Sequence, residues 1–254
     1  AELTVSSSGL SAGADVALSP RATVGLGGGF GYENTEVGAQ GSRVEADTWS
    51  VAAYASLRPV DGVFVDGVFG VGVLNYDLRR YVAGSEAAAR GERQGDLSYG
   101  SLAVGLGQSD GAQAWSAYGR VEVTRAELDG FTEQGAGLMN LTFASRRIES
   151  LVGVLGGTYE LERRTRLGLL SPRGRIELQH DFRSVDAQTV HYADWLTGPG
   201  YRLTADGWAK TRVSLGLGSS LLLDNGWDLS AELTAEVGDG QRLGTVRVGA
   251  ATRF

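Results

Sequence analysis

The 254-residue chain contains no cysteine. That excludes disulfides, thiolate metal sites and cysteine nucleophiles together, and it suits a protein that crosses an oxidising periplasm. Only 4 prolines are present, so the 39 glycines, well above the usual ~7%, do not belong to a disordered Pro/Gly tract. Lysine is almost missing: of 23 basic residues only Lys210 is not arginine. The net charge is −7 and no basic patch breaks it, which argues against nucleic acid as a partner. No stretch approaches the ~18 uninterrupted apolar residues of a membrane helix. Strands of a membrane barrel remain open, because each needs only ~9–11 alternating residues. No signal peptide opens the sequence, and the start Ala1-Glu-Leu-Thr reads as a mature or excised fragment.

What is present is period-two alternation. In the last eleven residues Val246, Val248, Ala250 and Phe254 share one face of an extended strand, and Thr245, Arg247, Gly249, Ala251 and Arg253 share the other. The same pattern runs through Ala14 to Leu18, Ala22 to Tyr32 and Thr48 to Leu57, and Val63 to Tyr76 reads as a strand that is apolar on both faces and rich in glycine. The alternation continues through Ser101 to Leu106, Ala117 to Thr124, Arg175 to Phe182, Arg212 to Leu217 and Trp227 to Val237. Leu141 to Leu161 reads as one long strand bulged at Arg146-Arg147.

Short turns at Ser19, Pro59, Asp110, Arg164 and Asn225 alternate with longer connections at Glu33 to Arg43, Arg79 to Asp96, Asp129 to Gly137 and Ser184 to Asp206. A short helical turn at Ala87 to Arg90 is compatible with the second of these. Short connections at one end and long ones at the other are how outer-membrane barrels separate periplasmic turns from extracellular loops.

Polarity sets the orientation. Arg120, Glu122, Arg175, Glu177, Asp181, Arg212, Glu232, Glu236 and Arg247 project opposite the apolar face. A soluble sandwich would bury the apolar face, whereas a membrane barrel turns it to lipid and turns the charges to a wet lumen. Trp49, Trp115, Trp208 and Trp227 are expected near strand ends, as an interfacial girdle. Residues 1–254 are therefore expected to form one all-β domain, an antiparallel transmembrane β-barrel of the Gram-negative outer membrane.

The chain resembles the C-terminal β-domain of autotransporters, the type V secretion proteins. The resemblance rests on Gly9-Leu-Ser-Ala-Gly-Ala-Asp15, Val24-Gly-Leu-Gly-Gly-Gly-Phe-Gly-Tyr32, Trp49-Ser-Val-Ala-Ala-Tyr54, Val65-Asp-Gly-Val-Phe-Gly70, Asn75-Tyr-Asp-Leu-Arg79, Asp129-Gly-Phe-Thr-Glu-Gln-Gly135 and the ending Gly249 to Phe254, in order across nearly the whole chain. It implies a twelve-stranded barrel that helps an N-terminal passenger reach the cell surface. It also implies that Phe254, with Val246, Val248 and Ala250, is the signal read by the barrel-assembly machinery. About eleven strands are identifiable, and Leu3 to Leu18 resembles the family's second strand. Because single-chain barrels have even strand numbers, either the first strand and linker helix lie outside this chain or Ala1 to Ser8 supplies a reduced first strand. On the first alternative, the chain alone does not close a barrel.

Gly25-Leu-Gly-Gly-Gly imitates a dinucleotide loop but lacks the following helix, so it reads as strand glycines facing a crowded lumen. In the resembled family such glycines accept aromatic rings from a neighbouring strand. Neither His180 nor His191 has companions for a catalytic triad or a metal site, so no enzyme, metal or cofactor is expected. The inward charges are expected to pair across strands, either hydrating and stiffening the lumen or contacting a plug or translocating chain. The expected partners are outer-membrane lipid, lipopolysaccharide, the assembly machinery and the chain's own passenger, around a monomeric barrel. The alternative function is surface interaction through the loops Arg79 to Asp96 and Ser184 to Asp206.

Overall fold

The computed structural model describes residues 3–38, 40–84, 87–183, 187–195, 198–203, 210–239 and 241–252. The long strands at the front are β1 (Leu3–Ser19), β2 (Ala22–Val37), β3 (Ser42–Leu57), β4 (Val63–Tyr81), β5 (Ala88–Ser109) and β6 (Gln113–Leu128). Two short strands, β7 (Phe131–Thr132) and β8 (Leu141–Phe143), precede β9 (Arg146–Leu161), β10 (Arg163–Arg164) and β11 (Gly168–Asp181). β12 (Gln188–Tyr192), β13 (Tyr201–Leu203), β14 (Thr211–Leu223), β15 (Trp227–Gly238) and β16 (Gln241–Thr252) complete the order. Eleven long strands form one antiparallel up-and-down sheet, β1-β2-β3-β4-β5-β6-β9-β11-β14-β15-β16, each paired with its neighbour in chain order.

Among the described residues no ladder joins β1 to β16, and every residue of both strands is exposed. β1 and β16 both start at the long-connection end, so they run in the same direction. The sheet curls as part of a barrel, and its edges β1 and β16 carry no further ladder among the described residues. Among the described residues no helix is long and apolar enough to cross a membrane.

The polarity is inverted relative to a soluble protein. On β14 Val213, Leu215 and Leu217 are 41%, 54% and 70% exposed, while Ser214, between the first two, is 2% exposed. On β11 Ile176 and Leu178 face outward and Glu177 and Gln179 are buried. The outer face also shows Leu26, Phe69, Leu102, Val121, Leu155 and Leu233. Burial on the inner side is partly apolar near the long-connection end, where Leu74, Ala126 and Leu128 pack with Tyr76, Leu97 and Ile148.

Several connections are shorter than the sequence suggests. β2 runs to Val37 and β3 starts at Ser42, so Glu33 to Arg43 is mostly ladder. Most of Arg79 to Asp96 is ladder, not loop, and Ala88 to Arg90 is strand where a helical turn was expected: β4 and β5 pair up to Tyr81↔Ala88. The helix preference of Ala87 to Arg90 loses to that ladder and to packing, since Ala89 is completely buried. Leu141 to Leu161 is not one bulged strand, because the chain leaves β8 at Phe143 and restarts as β9 at Arg146.

The connections from Asp129 to Gly137 and from Ser184 to Asp206 contribute to a second small sheet, β13-β12-β8-β7; Ser184 and Asp206 themselves lie outside the described residues. This cap sheet packs on the inner side of the β4–β5 extension. Phe131 fills the space over Gly91, stacks on Phe143 at 4.6 Å and lies under the Arg93 guanidinium. Trp115 and Trp227 stand near strand ends, but Trp49 is mid-strand because β3 continues past it; Trp208 lies outside the described residues.

Candidate functional site

The inner wall from β6 to β16 carries an ion-pair network that the alternation of each strand aims inward. Glu177, on the inner face of β11, is its hub. It accepts from Tyr118 Oη at 2.5 Å, from Arg120 Nη1 at 2.9 Å and Nη2 at 3.3 Å, and from Gln179 Nε2 at 3.2 Å. Arg120 also donates through Nε to Glu122 at 2.6 Å. Arg175 stands 3.7 Å from Glu177 and 2.8 Å from Glu232. Glu232 also receives Arg173 at 3.4 Å. Above them Arg212 bonds Gln179 at 3.2 Å and stands 3.9 Å from Glu236. Asp181 accepts from Ser150 at 2.7 Å and from the backbone N–H groups of Leu151 and Arg183.

The network thus spans five consecutive strands of the sheet, β6, β9, β11, β14 and β15, with β9 joined through the Ser150–Asp181 hydrogen bond. Carboxylate and guanidinium alternate across it, so each of these charges except Asp181, which neutral donors hold, faces at least one of opposite sign. Arg247 sits on the inner side of β16, opposite Glu232 in the ladder, and is exposed because β16 is an edge. Val246 and Val248 are 73% and 77% exposed on the outer face of the same strand, and Ala250 is exposed with them. Phe254 lies outside the described residues.

The opposite wall is different. β1 to β4 present Gly9, Ser11, Gly13, Gly27, Gly29 and Ser50 inward, with few charges. Gly25 and Gly156 are close-approach positions: a Cβ at either would lie 2.2 Å and 2.5 Å from the rings of Tyr54 and Tyr118 respectively. The rings lie flat over these glycines. Their hydroxyls then reach Asp15 at 3.1 Å and Glu177, so each glycine aims a phenol at a lumen carboxylate. The lumen therefore has one smooth, small-residue wall and one ionic wall.

The sequence reading did not single out Tyr118, Gln179, Ser214 or Arg173. All four alternate in phase with charges that were singled out, and that phase was the available signal. The cap polar cluster had no such signal. Arg80 donates to both oxygens of the buried Glu133, at 2.9 and 2.6 Å, and to the Met139 carbonyl at 2.8 Å. Arg93 reaches the Gln188 side chain and the carbonyls of Leu128 and Ala144. These contacts join segments 35 to 95 residues apart and hold the cap over the mouth.

His180 packs edge-on against Phe182 at 4.8 Å and shares a 2.9 Å hydrogen bond with the Thr211 hydroxyl. His191 stands in β12 over Gly200. Among the described residues no group of three or more His, Cys, Asp or Glu side chains gathers as a metal site.

The family model for the autotransporter beta-domain matches residues 1–234. Esterase EstA of Pseudomonas aeruginosa is 27% identical over 210 residues, covering 78% of this chain and 31% of its own length; Esterase EstA of Pseudomonas putida matches to the same extent. The chain thus spans about a third of the length of these curated relatives. The translocator domain of the autotransporter NalP from Neisseria meningitidis superposes with a TM-score of 0.80 at 19% identity, covering 99% of this chain and 82% of that one. The β-domain of the Bordetella autotransporter BrkA superposes at 0.68 and 17% identity, covering 99% and 92%. One expectation is corrected by these findings. The sequence pointed to a protein that is no enzyme, yet both curated relatives carry the name of an esterase, so chains of this kind occur within enzymes.

Proposed function

The chain belongs to the autotransporter β-domain family, and we propose that its two unlike lumen walls divide the work of guiding a passenger outward. The protein is an outer-membrane β-barrel translocator that supports export of a linked passenger to the cell surface. In our reading the ionic wall of Arg120, Glu122, Arg173, Arg175, Glu177, Arg212, Glu232 and Glu236 holds water and transient polar contacts along the passing segment. The smooth wall of β1 to β4 lets that segment approach the barrel backbone. The observation that carries this reading is the interleaving of guanidinium and carboxylate around Glu177: a wall of one sign would trap a segment of opposite charge, whereas alternation leaves no deep well.

Charge-reversal pairs test it. Arg175→Glu with Glu232→Arg keeps that one pair but sets like charges beside Glu177 and Arg173, breaking the alternation. Passenger display on whole cells should fall at least threefold while heat-dependent gel migration of the barrel is unchanged. Unchanged display in every correctly folded variant removes the guiding role and leaves the network as a stiffener.

We further propose that residues 1–254 are one domain of a longer chain, that one more strand fills the gap between β1 and β16, and that the barrel works as a monomer. Exposed Val246, Val248 and Ala250, with Phe254, would be read by the assembly machinery. Lipid and lipopolysaccharide would cover the outer face. The names of the curated relatives support an esterase in the parent protein. Intact cells expressing the full-length protein should hydrolyse a short-chain nitrophenyl ester, and activity confined to lysed cells would count against a surface-displayed esterase.

A further inference from the structure

We propose that the outer ends of β3, β4 and β5 form a binding site for the phosphorylated sugar head of an outer-leaflet glycolipid. The proposal rests on the reading of the chain as an outer-membrane barrel and adds a site to it.

The site is a row of three arginines on the outside of the sheet. Arg43 is directly opposite Arg79, and Arg79 is directly opposite Arg90. All three are exposed. Like charges directly opposite on neighbouring strands destabilise a sheet; Glu36 opposite Arg43, and the row Glu45, Asp77 and Glu92 one rung below, offset this in part, and an outside anion above the arginines would offset the rest. Among the described residues Arg43 alone of the three closes an ion pair, with Glu45 at 3.3 Å. Arg79 and Arg90 keep their donors for an outside partner. Together with one flank of the cap, and with Glu45, Asp77 and Glu92 on its lower side, they line an open cavity of about 1140 Å³, in which Thr132 and Gln134 add neutral hydrogen-bonding groups.

Height selects the ligand. Trp49 and Val73 end the apolar band on these strands, and Phe30 packs on Trp49 at 4.7 Å. Above Trp49 the same face of β3 carries Asp47, Glu45 and then Arg43. At ~3.3 Å per residue and a tilt of 35–45°, Asp47 stands roughly 5 Å, Glu45 roughly 10 Å and Arg43 roughly 15 Å above the band. A phospholipid phosphate lies within about 5–8 Å of the acyl boundary, beside the carboxylates, where it is repelled. A phosphate carried on an oligosaccharide reaches past them to the guanidiniums. Arginine suits it, because its planar fork binds phosphate oxygens two at a time.

The test uses the full-length protein in nanodiscs of neutral phospholipid. The probes are lipopolysaccharide with a phosphorylated inner core, the same glycolipid after phosphatase treatment, and phosphatidylglycerol. Wild type should bind the phosphorylated glycolipid at least tenfold more tightly than either other probe. Arg43→Gln/Arg79→Gln/Arg90→Gln should abolish that preference, a loss on the order of a hundredfold at roughly fivefold per guanidinium. Arg163→Gln/Arg164→Gln at the opposite end should retain it. Heat-dependent migration on gels checks folding, and the triple lysine variant should recover part of the binding if the triple glutamine variant folds poorly. Equal binding by wild type and the triple variant, or equal binding of all three probes, overturns the proposal. So does reduced retention of the passenger at the surface with lipid binding intact, which would assign the row to the passenger. Passenger display is scored separately: lost display with preserved glycolipid preference refutes the translocator reading and spares this site.

Discussion

Removing the Glu177 carboxylate is the sharpest perturbation of the lumen. Glu177 is 2% exposed and holds Tyr118, Arg120 and Gln179, with Arg175 nearby. Breaking a buried ion pair from one side costs about 3–5 kcal/mol, because the remaining charge is left without compensation. Here the figure is smaller. Arg120 keeps Glu122 and Arg175 keeps Glu232, so neither guanidinium is left bare. The four hydrogen bonds lost with the carboxylate, largely replaced by lumen water, give about 2–3 kcal/mol for Glu177→Ala.

The assay is reversible denaturant unfolding of the full-length protein in lipid vesicles, followed by tryptophan fluorescence. A double-mutant cycle with Arg120→Gln should return a coupling of about 1–2 kcal/mol, since the two side chains share two hydrogen bonds. Glu122→Ala, which loses a more exposed pair, should cost under about 1 kcal/mol. A Glu177→Ala cost below about 0.5 kcal/mol, or equal costs for Glu122 and Glu177, would refute the assignment of Glu177 as the hub.

The remaining predictions concern packing, the cap and one turn. Gly156→Ala places a methyl 2.5 Å from the Tyr118 ring and must displace the phenol from Glu177. It should cost about 1–3 kcal/mol, and much of that should return in Gly156→Ala/Tyr118→Ser, measured by the same unfolding assay. Glu133→Ala removes the acceptor that Arg80 holds. It should speed amide exchange across Phe131 to Phe143 at least tenfold without changing exchange in β14, and uniform protection would contradict the clamp. In the turn after β5, the Gln113 and Ala112 backbone N–H groups hold the Asp110 carboxylate below its ordinary range. Its folded value is depressed, so its contribution to stability is present above about pH 4 and is lost as pH falls through the folded value. Asp110→Asn should flatten that acid dependence, and an NMR titration midpoint for Asp110 at or above 4 would contradict the turn geometry.

The sheet was readable because barrel strands carry a period of two that nothing interrupts. Leu215, Ser214 and Leu217 occupy the sides their alternation assigns, and the burial is the reverse of a soluble protein. The eleven long strands were countable for the same reason. The connections were misread where polarity was taken to mean loop. Arg79 to Asp96 is charged because both faces of that hairpin stand above the membrane, and its outer face meets water instead of lipid. A charged strand and a charged loop look alike when no apolar face remains. The cap was illegible because Glu133, Arg80, Arg93 and Gln188 come from four separate segments with no shared period. Tyr118 and Glu177 were each placed on the correct side, but their contact depends on the ring lying flat across Gly156, a close approach that no spacing announces.

The central claim is that the apolar face meets lipid and the charged face meets a wet lumen. The cysteine-free sequence allows a direct measurement. Single spin labels placed at residues 212 to 217 on β14 and 230 to 235 on β15 of the full-length protein in lipid vesicles report collision with oxygen, which concentrates in lipid, and with a water-soluble nickel chelate. The account predicts period-two alternation, with oxygen maximal at Val213, Leu215, Leu217, Ala231, Leu233 and Ala235, and the chelate favoured at Arg212, Glu232 and Thr234. Chelate access at the charged positions with no oxygen maximum at the apolar ones would place that face in a protein core and contradict the account.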